Sequence, residues 1–169
     1  MPQDYSKTLN LPNTDFSMRA NLPQREPEIG RVWLDDKIYE KTLERNEGHP
    51  LFILHDGPPF SNGNIHMGTA MNKLLKDFIN KYKSMSGFKA PYVPGWDNHG
   101  MPIESAIIKK NKLDRKKMSI SEFRSACHKF ADDFVHIQMD SFKRLGVLGD
   151  WDNPYLTMDP KFEAREVKV

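Results

Sequence analysis

Leu51-Phe52-Ile53-Leu54-His55-Asp56-Gly57-Pro58-Pro59-Phe60-Ser61-Asn62-Gly63-Asn64-Ile65-His66-Met67-Gly68-Thr69 is the stretch on which the fold of this 169-residue chain turns. Its first four residues are a short, wholly apolar run, followed at once by Asp56-Gly57-Pro58-Pro59. That combination predicts a buried parallel strand ending in a tight loop. Residues 60–64 are small, polar and loop-forming. From His66 onward the apolar spacing changes to three and four, through Met71, Leu74, Leu75, Phe78, Tyr82 and Met85. The pattern predicts a helix with one apolar face, closed by Gly87 as its C-terminal cap. Residues 89–93 predict the next strand, ended by Pro94-Gly95. Strand, loop, helix and strand make a βαβ unit, so the fold class is α/β.

Upstream, residues 1–30 carry Pro2, Pro12, Pro23 and Pro27 without a sustained period, which predicts an extended strap. A helix is expected from Pro27, with Trp33, Leu34, Ile38 and Leu43 as its apolar stripe, stopping before Gly48 and Pro50. Downstream the chain is mostly helical. Residues 102–110 predict a short helix. Ser119-Ile120-Ser121-Glu122 has capping-box spacing and opens a long helix with Phe123, Cys127, Phe130, Phe134, Ile137 and Leu145 on one side, closed by Gly146. Another helix is expected from Pro160, and Glu166-Val167-Lys168-Val169 carries no stop signal, as in a chain that continues.

Composition narrows the class of protein. Leu, Ile, Val and Phe together are about 23% of the chain, above the roughly 20% floor below which disorder is expected. No apolar run approaches the ~20 residues of a membrane span, and residues 1–10 lack a secretory pattern. One cysteine, Cys127, excludes an internal disulfide framework and a thiolate zinc cage within the chain. A reducing compartment, the cytoplasm, is expected, with no membrane partner. The formal charge of +2 gives no global basic field for nucleic acid.

Two loops carry the candidate chemistry. A loop after a strand that opens a helix is where α/β sheets bind ligands, and free N–H groups there favour phosphate. Gly57 and Gly63 permit close backbone approach, and His66 supplies a side-chain donor; a plain turn with a surface histidine is the alternative. Gly63 and Gly68 have the outer spacing of a Walker loop, but Thr69-Ala70 stands where Lys-Ser/Thr is required, and no Gly-x-Gly-x-x-Gly occurs. Phosphate would be handled by histidine and backbone. The second loop is Pro94-Gly95-Trp96-Asp97-Asn98-His99-Gly100-Met101-Pro102-Ile103-Glu104, also directly after a predicted strand. Asp97 can pair with an ammonium group and Trp96 can wall an apolar pocket; a turn aspartate and a packing tryptophan are the alternative. The six histidines show no helical zinc spacing, so no metal site is expected in the chain. Cys127 falls on an apolar stripe and reads as a core thiol. The six basic residues within 109–117 read as a solvated linker, with an RNA backbone contact as the alternative.

The stretch 57–69 resembles the first signature of the class I aminoacyl-tRNA synthetases. The stretch 94–104, with its Trp-Asp-x-His-Gly-x-Pro-Ile-Glu pattern, resembles the isoleucyl branch of that family, as does Met18-Arg19-Ala20-Asn21-Leu22-Pro23-Gln24-Arg25-Glu26-Pro27. The resemblance implies the first half of a doubly wound, Rossmann-like nucleotide-binding domain with an N-terminal strap and helix. It divides the chain into the strap and helix at 1–50, the first half of the catalytic domain at 51–150, and the start of the connection to the rest of that domain and an editing insertion at 151–169.

The activity implied is formation of isoleucyl-adenylate from isoleucine and ATP, with the Mg2+ that accompanies ATP, and transfer to tRNA(Ile) by a full-length, monomeric parent. His66, Gly68 and Thr69 would be catalytic. Gly63 and Asn64 would join them in holding ATP, and Gly57, Pro58, Trp96 and Asp97 would hold the amino acid. His99 and Glu104 are candidate lining residues. The family's second signature histidine is Thr69 here, which can still donate but never carries charge. Lys117-Met118-Ser119-Ile120-Ser121 imitates the family's Lys-Met-Ser-Lys-Ser loop, but its fourth residue differs and a helix cap accounts for the serines. The family's lysine motif, editing insertion and anticodon-binding helices are expected outside these residues, so the chain alone is expected to be inactive. Two rival readings are a non-catalytic RNA- or partner-binding module and a small nucleotidyltransferase.

Overall fold

The computed structural model describes residues 6–10 and 19–169, and the expectations for residues 1–5 and 11–18 lie outside it. After a 3-10 turn at Ser6–Thr8, the elements in chain order are α1 (Leu22–Asp35), α2 (Ile38–Arg45), α3 (Met67–Met85), β1 (Gly95–Trp96), α4 (Met101–Asn111), α5 (Ile120–Arg144), β2 (Tyr155–Leu156) and α6 (Pro160–Glu166). Within the described part of the expected strap, residues 22–30 are helix and not extended chain. Pro23 occupies the first turn, where a missing N–H costs nothing, so the helix begins five residues before the expected Pro27 and Pro27 sits inside it. The expected single helix is two, because Lys37 adopts the left-handed conformation at φ 51° between them.

The sheet is parallel and narrow. Gly95 pairs with Tyr155 and Trp96 with Leu156, while isolated parallel bridges join Leu51 to Lys89 and Phe60 to Asp97. The chain directions of the expected βαβ unit are therefore present, but the ladders at 51–54 and 89–93 are not continuous. Pro58, Pro59, Pro91 and Pro94 have no N–H to donate, so hydrogen bonding survives mainly at the segment ends, such as Phe52 N to Lys89 O at 2.9 Å and Asp97 N to Pro59 O at 2.9 Å. Leu51 and Ile53 are 60% and 66% exposed, which corrects the expectation of a fully buried strand.

The apolar stripe expected to bury α3 also needs correction. Met71, Leu75, Phe78, Tyr82 and Met85 are all exposed, whereas the buried residues of α3 are Lys73, Asp77 and Asn80. The polar face is the one turned inward, and its charges are paired. Lys73 meets Asp56, and Asp77 accepts Lys81 Nζ at 2.6 Å and Leu148 N at 3.0 Å.

Helix α5 organises the core. Its capping box forms, with Ser119 N donating to Glu122 Oε2 at 2.8 Å and Glu122 N to Ser119 Oγ at 3.3 Å. Phe123, Phe130 and Phe134 pack on Ile103 and Ile107 of α4 and on Met158. Val135, Met139 and Phe142 pack on Tyr92, Trp96 and Val147. Each such side chain contributes about 1.5–3 kcal/mol by leaving water. Ile137 and Leu145, expected on this stripe, are exposed instead. Among the described residues no helix is long and apolar enough to cross a membrane.

Candidate active site

The loop 56–66 has almost no regular structure, so side chains from other elements must hold it. Asp56, fully buried, anchors its start. The carboxylate accepts Lys73 Nζ, Lys76 Nζ at 2.8 Å and Gly95 N at 3.0 Å, tying together the loop, α3 and β1. Burial alone would raise the Asp56 carboxyl, but the two ammonium groups and the amide outweigh it and hold its pKa below the ordinary carboxylate value. Lys73 is buried under the rings of Tyr92, Trp96 and Phe142 at 5.1–5.7 Å, and donates to Tyr92 Oη at 3.1 Å. Tyr155 Oη donates to the Asp56 carbonyl at 2.9 Å, and its ring covers Gly95 so closely that a Cβ there would lie 2.0 Å from it. Only glycine fits at position 95.

The middle of the loop is held from α5. Gln138 Nε2 donates to the carbonyls of Phe60 at 3.0 Å and Gly63 at 2.7 Å, and Gln138 Oε1 accepts Trp96 Nε1 at 3.0 Å. Buried Ser61 accepts Asn98 Nδ2 at 2.8 Å.

The loop delivers the start of α3. His66 is its N-cap, and His66 Nδ1 accepts the Thr69 amide at 3.3 Å. With Nδ1 an acceptor, the ring proton of neutral His66 is on Nε2, leaving Nε2–H as a donor. The ring folds over Gly68, where a Cβ would come within 3.0–3.1 Å of it. Met67 and Gly68 amides have no intrahelical acceptor, as first-turn amides must. His66, Asn64 and Gly68 are exposed, and Thr69 and Gly63 half-buried. One imidazole N–H and two amides without an intrahelical acceptor thus lie at the positive end of a 19-residue helix.

Asp97 stands next to this loop, paired with Phe60 through the bridge, with Ser61 N donating to Asp97 O at 3.2 Å. Its carboxylate is half-exposed and accepts the His99 amide at 3.3 Å; among the described residues no cation pairs with it. Tyr155 feels that charge. Its hydroxyl is pushed up to about 12, by burial first and then by Asp56 and Asp97.

The structure therefore joins the loop that carries Gly57, Pro58, Gly63 and Asn64, and leads to His66, Gly68 and Thr69, to Asp97 through the Phe60–Asp97 bridge. It does not bring Trp96 to a pocket wall. Trp96 has no exposed surface; it packs on Phe142 and Trp151 in the core. The physical reason is strand alternation: with Asp97 turned towards the edge, its neighbour points the other way. His99 and Glu104 line a separate cavity of about 480 Å³ between α4, α5 and the 98–100 loop, and pair with Glu163 at 3.3 Å and Arg115 at 3.4 Å. A larger groove of about 990 Å³ between α1 and residues 143–152 contains none of the expected site residues. No group of three or more metal-capable side chains is found among the described residues.

Sequence reading missed Asp56, Lys73, Lys76 and Gln138. Lysines on an amphipathic helix read as solvent-facing, so Lys73 gave no signal. Gln138 did give one: it is a polar residue at core spacing among Phe134, Val135, Met139 and Phe142.

Residues 28–169 match the family model of tRNA synthetases class I (I, L, M and V). The chain is 60% identical over 166 residues to the isoleucine–tRNA ligase of Desulforudis audaxviator, and 58% identical over 166 residues to that of Geobacillus thermodenitrificans. Each alignment covers 98% of this chain but 18% of the relative, so the chain spans less than a fifth of the length of the proteins it matches. Among solved structures it is similar to the ternary complex of Agrobacterium radiobacter K84 agnB2 LeuRS-tRNA-LeuAMS. The TM-score is 0.70 at 20% identity, over 89% of this chain and 17% of that one, which is a likeness of fold.

Proposed function

This chain belongs to the class I tRNA synthetases (I, L, M and V), and on that premise we propose that it is the N-terminal catalytic portion of an isoleucine–tRNA ligase. Full-length, that enzyme activates isoleucine with ATP and charges tRNA(Ile). The observation that supports the reading is the Phe60–Asp97 bridge, which joins the loop leading into α3 to a residue whose carboxylate meets no cation among the described residues. The 55–60% identity to isoleucine–tRNA ligases supports isoleucine as the amino acid.

In this reading Asp97 holds the substrate ammonium, and Gly57 and Pro58 border the amino acid. An isoleucine carboxylate oxygen bonds to the α-phosphorus of ATP as the bond to pyrophosphate breaks. Charge grows on phosphate oxygens, where His66 Nε2–H and the first-turn amides of α3 would receive it. Thr69 supplies a neutral hydroxyl to the same phosphates, and Gly63 and Asn64 flank the nucleotide. The donor set fits ATP with its Mg2+ as a substrate pair and needs no resident metal. Residues 1–50 precede the nucleotide-binding unit, 51–150 serve as the first half of a doubly wound Rossmann-like domain, and 151–169 as the start of the connection onward. The enzyme works as a cytoplasmic monomer.

Isoleucine-dependent ATP–pyrophosphate exchange by the full-length enzyme carrying this segment tests the proposal. Asp97→Ala should raise the KM for isoleucine far more than that for ATP. Exchange driven equally by another amino acid, or an isoleucine KM indifferent to Asp97, would refute it.

A further inference from the structure

Gln138 is 3% exposed and lies on α5, far along the chain from the loop it touches. Its amide can be oriented in only one way. Trp96 Nε1 can only donate and the carbonyls of Phe60 and Gly63 can only accept, so Oε1 must face the indole and Nε2 the loop. Three of its hydrogen bonds are made at 2.7–3.0 Å, and no rotation of the amide would preserve them. The loop spanned by the two carbonyls is tied to Asp97 at Phe60 and to Asn98 at Ser61, has no further ladder beyond Ser61, and leads directly to Asn64 and His66. Trp96, on the other side of the same amide, is the residue before Asp97. One neutral, buried side chain thus joins both halves of the candidate site through one buried and two part-buried bonds.

We infer that Gln138 is a positioning residue for ATP, fixing the loop 60–63 against Trp96 and thereby placing the nucleotide-facing backbone and the start of α3. The inference deepens the proposed function and rests on it. It assigns a role to a side chain that touches neither substrate. A glutamine here does what a lysine could not, since it donates twice and accepts once without burying a charge.

The test uses the full-length enzyme and two variants. Gln138→Glu keeps the acceptor for Trp96 and the side-chain volume, but puts a carboxylate oxygen where the loop carbonyls need a donor. Gln138→Met keeps volume alone. Displacing a binding loop by a fraction of an ångström should raise the KM for ATP about tenfold in Gln138→Glu, with the isoleucine KM within about twofold. Amide hydrogen exchange across 60–66 should quicken in the same variant. Gln138→Met should lose at least as much in ATP KM; if it fails to fold, Gln138→Glu decides. An unchanged ATP KM in Gln138→Glu overturns the inference, and so does an equal rise in both KM values, which marks a general structural role. Absence of isoleucine-dependent exchange in the unsubstituted enzyme is a separate signature, and refutes the function itself.

Discussion

His66 combines an observed structural role with a proposed chemical one. Its Nδ1 caps α3 at Thr69, and that bond leaves Nε2–H as its donor to a ligand. His66→Ala should therefore slow adenylate formation by about 10²-fold or more, as for loss of a transition-state donor, while an Asn substitution restores the cap without the reach. Pre-steady-state adenylate formation checks both. Asp56 makes the complementary case, a buried carboxylate that accepts from Lys73, Lys76 and the Gly95 amide. Asp56→Ala strands the Lys73 ammonium among aromatic rings and should cost about 3–5 kcal/mol in denaturant unfolding, with Asp56→Ala/Lys73→Met recovering part of it. The pH sign follows from the lowered carboxyl. Its stabilisation is fully present above the unfolded value of 3.8 and is lost as pH falls through the lower folded value. Acid unfolding of Asp56→Asn should accordingly be flatter than that of the unsubstituted protein below about pH 4. His66, Gly68 and Asp97 could be located from sequence because turns and helix starts have local signatures. Asp56–Lys73 could not, because pairing across 17 residues leaves no periodic trace.

Elements were legible where local chemistry fixes an end. The Ser119–Glu122 box starts α5 where expected, and Lys117, beside it, is exposed with Asp114 at 3.7 Å. Lys117→Ala should leave adenylate formation within about twofold, since a solvated charge contributes little. Ser119→Ala should lower the melting temperature by an amount equivalent to about 1 kcal/mol and spare catalysis. A large rate loss in Lys117→Ala, with folding intact, would place that lysine in the site. Helix α3 was legible in period but not in orientation. Periodicity says that one face is apolar; it does not say which face meets the sheet. Here Lys73 and Asp77 take the inner face because their partners, Asp56 and Leu148 N, wait there. The strands were the least legible elements, since prolines at 58, 59, 91 and 94 remove donors that apolar runs promise.

At the scale of the whole molecule, Met67, Met71, Leu75, Phe78, Tyr82 and Met85 leave an apolar stripe along α3 uncovered, beside exposed Leu51 and Ile53. Exposed apolar area of this kind promotes association. The 169-residue chain is expected to self-associate with rising concentration in sedimentation velocity, and to transfer no isoleucine to tRNA. Phe78→Lys should shift it towards monomer, and a Phe78→Lys chain that associates unchanged would place the contact elsewhere. The Tyr155 hydroxyl on the Asp56 carbonyl bears on how such a molecule is made. The two residues are 99 positions apart. At roughly 5–20 residues per second of synthesis, the ribosome takes about 5–20 s to deliver Tyr155 after Asp56. Once Gly95 has emerged, and until Tyr155 follows it, the floor beneath Gly95 is missing and the sheet edge is open, so the nascent chain waits, unsealed, for a residue still to be made.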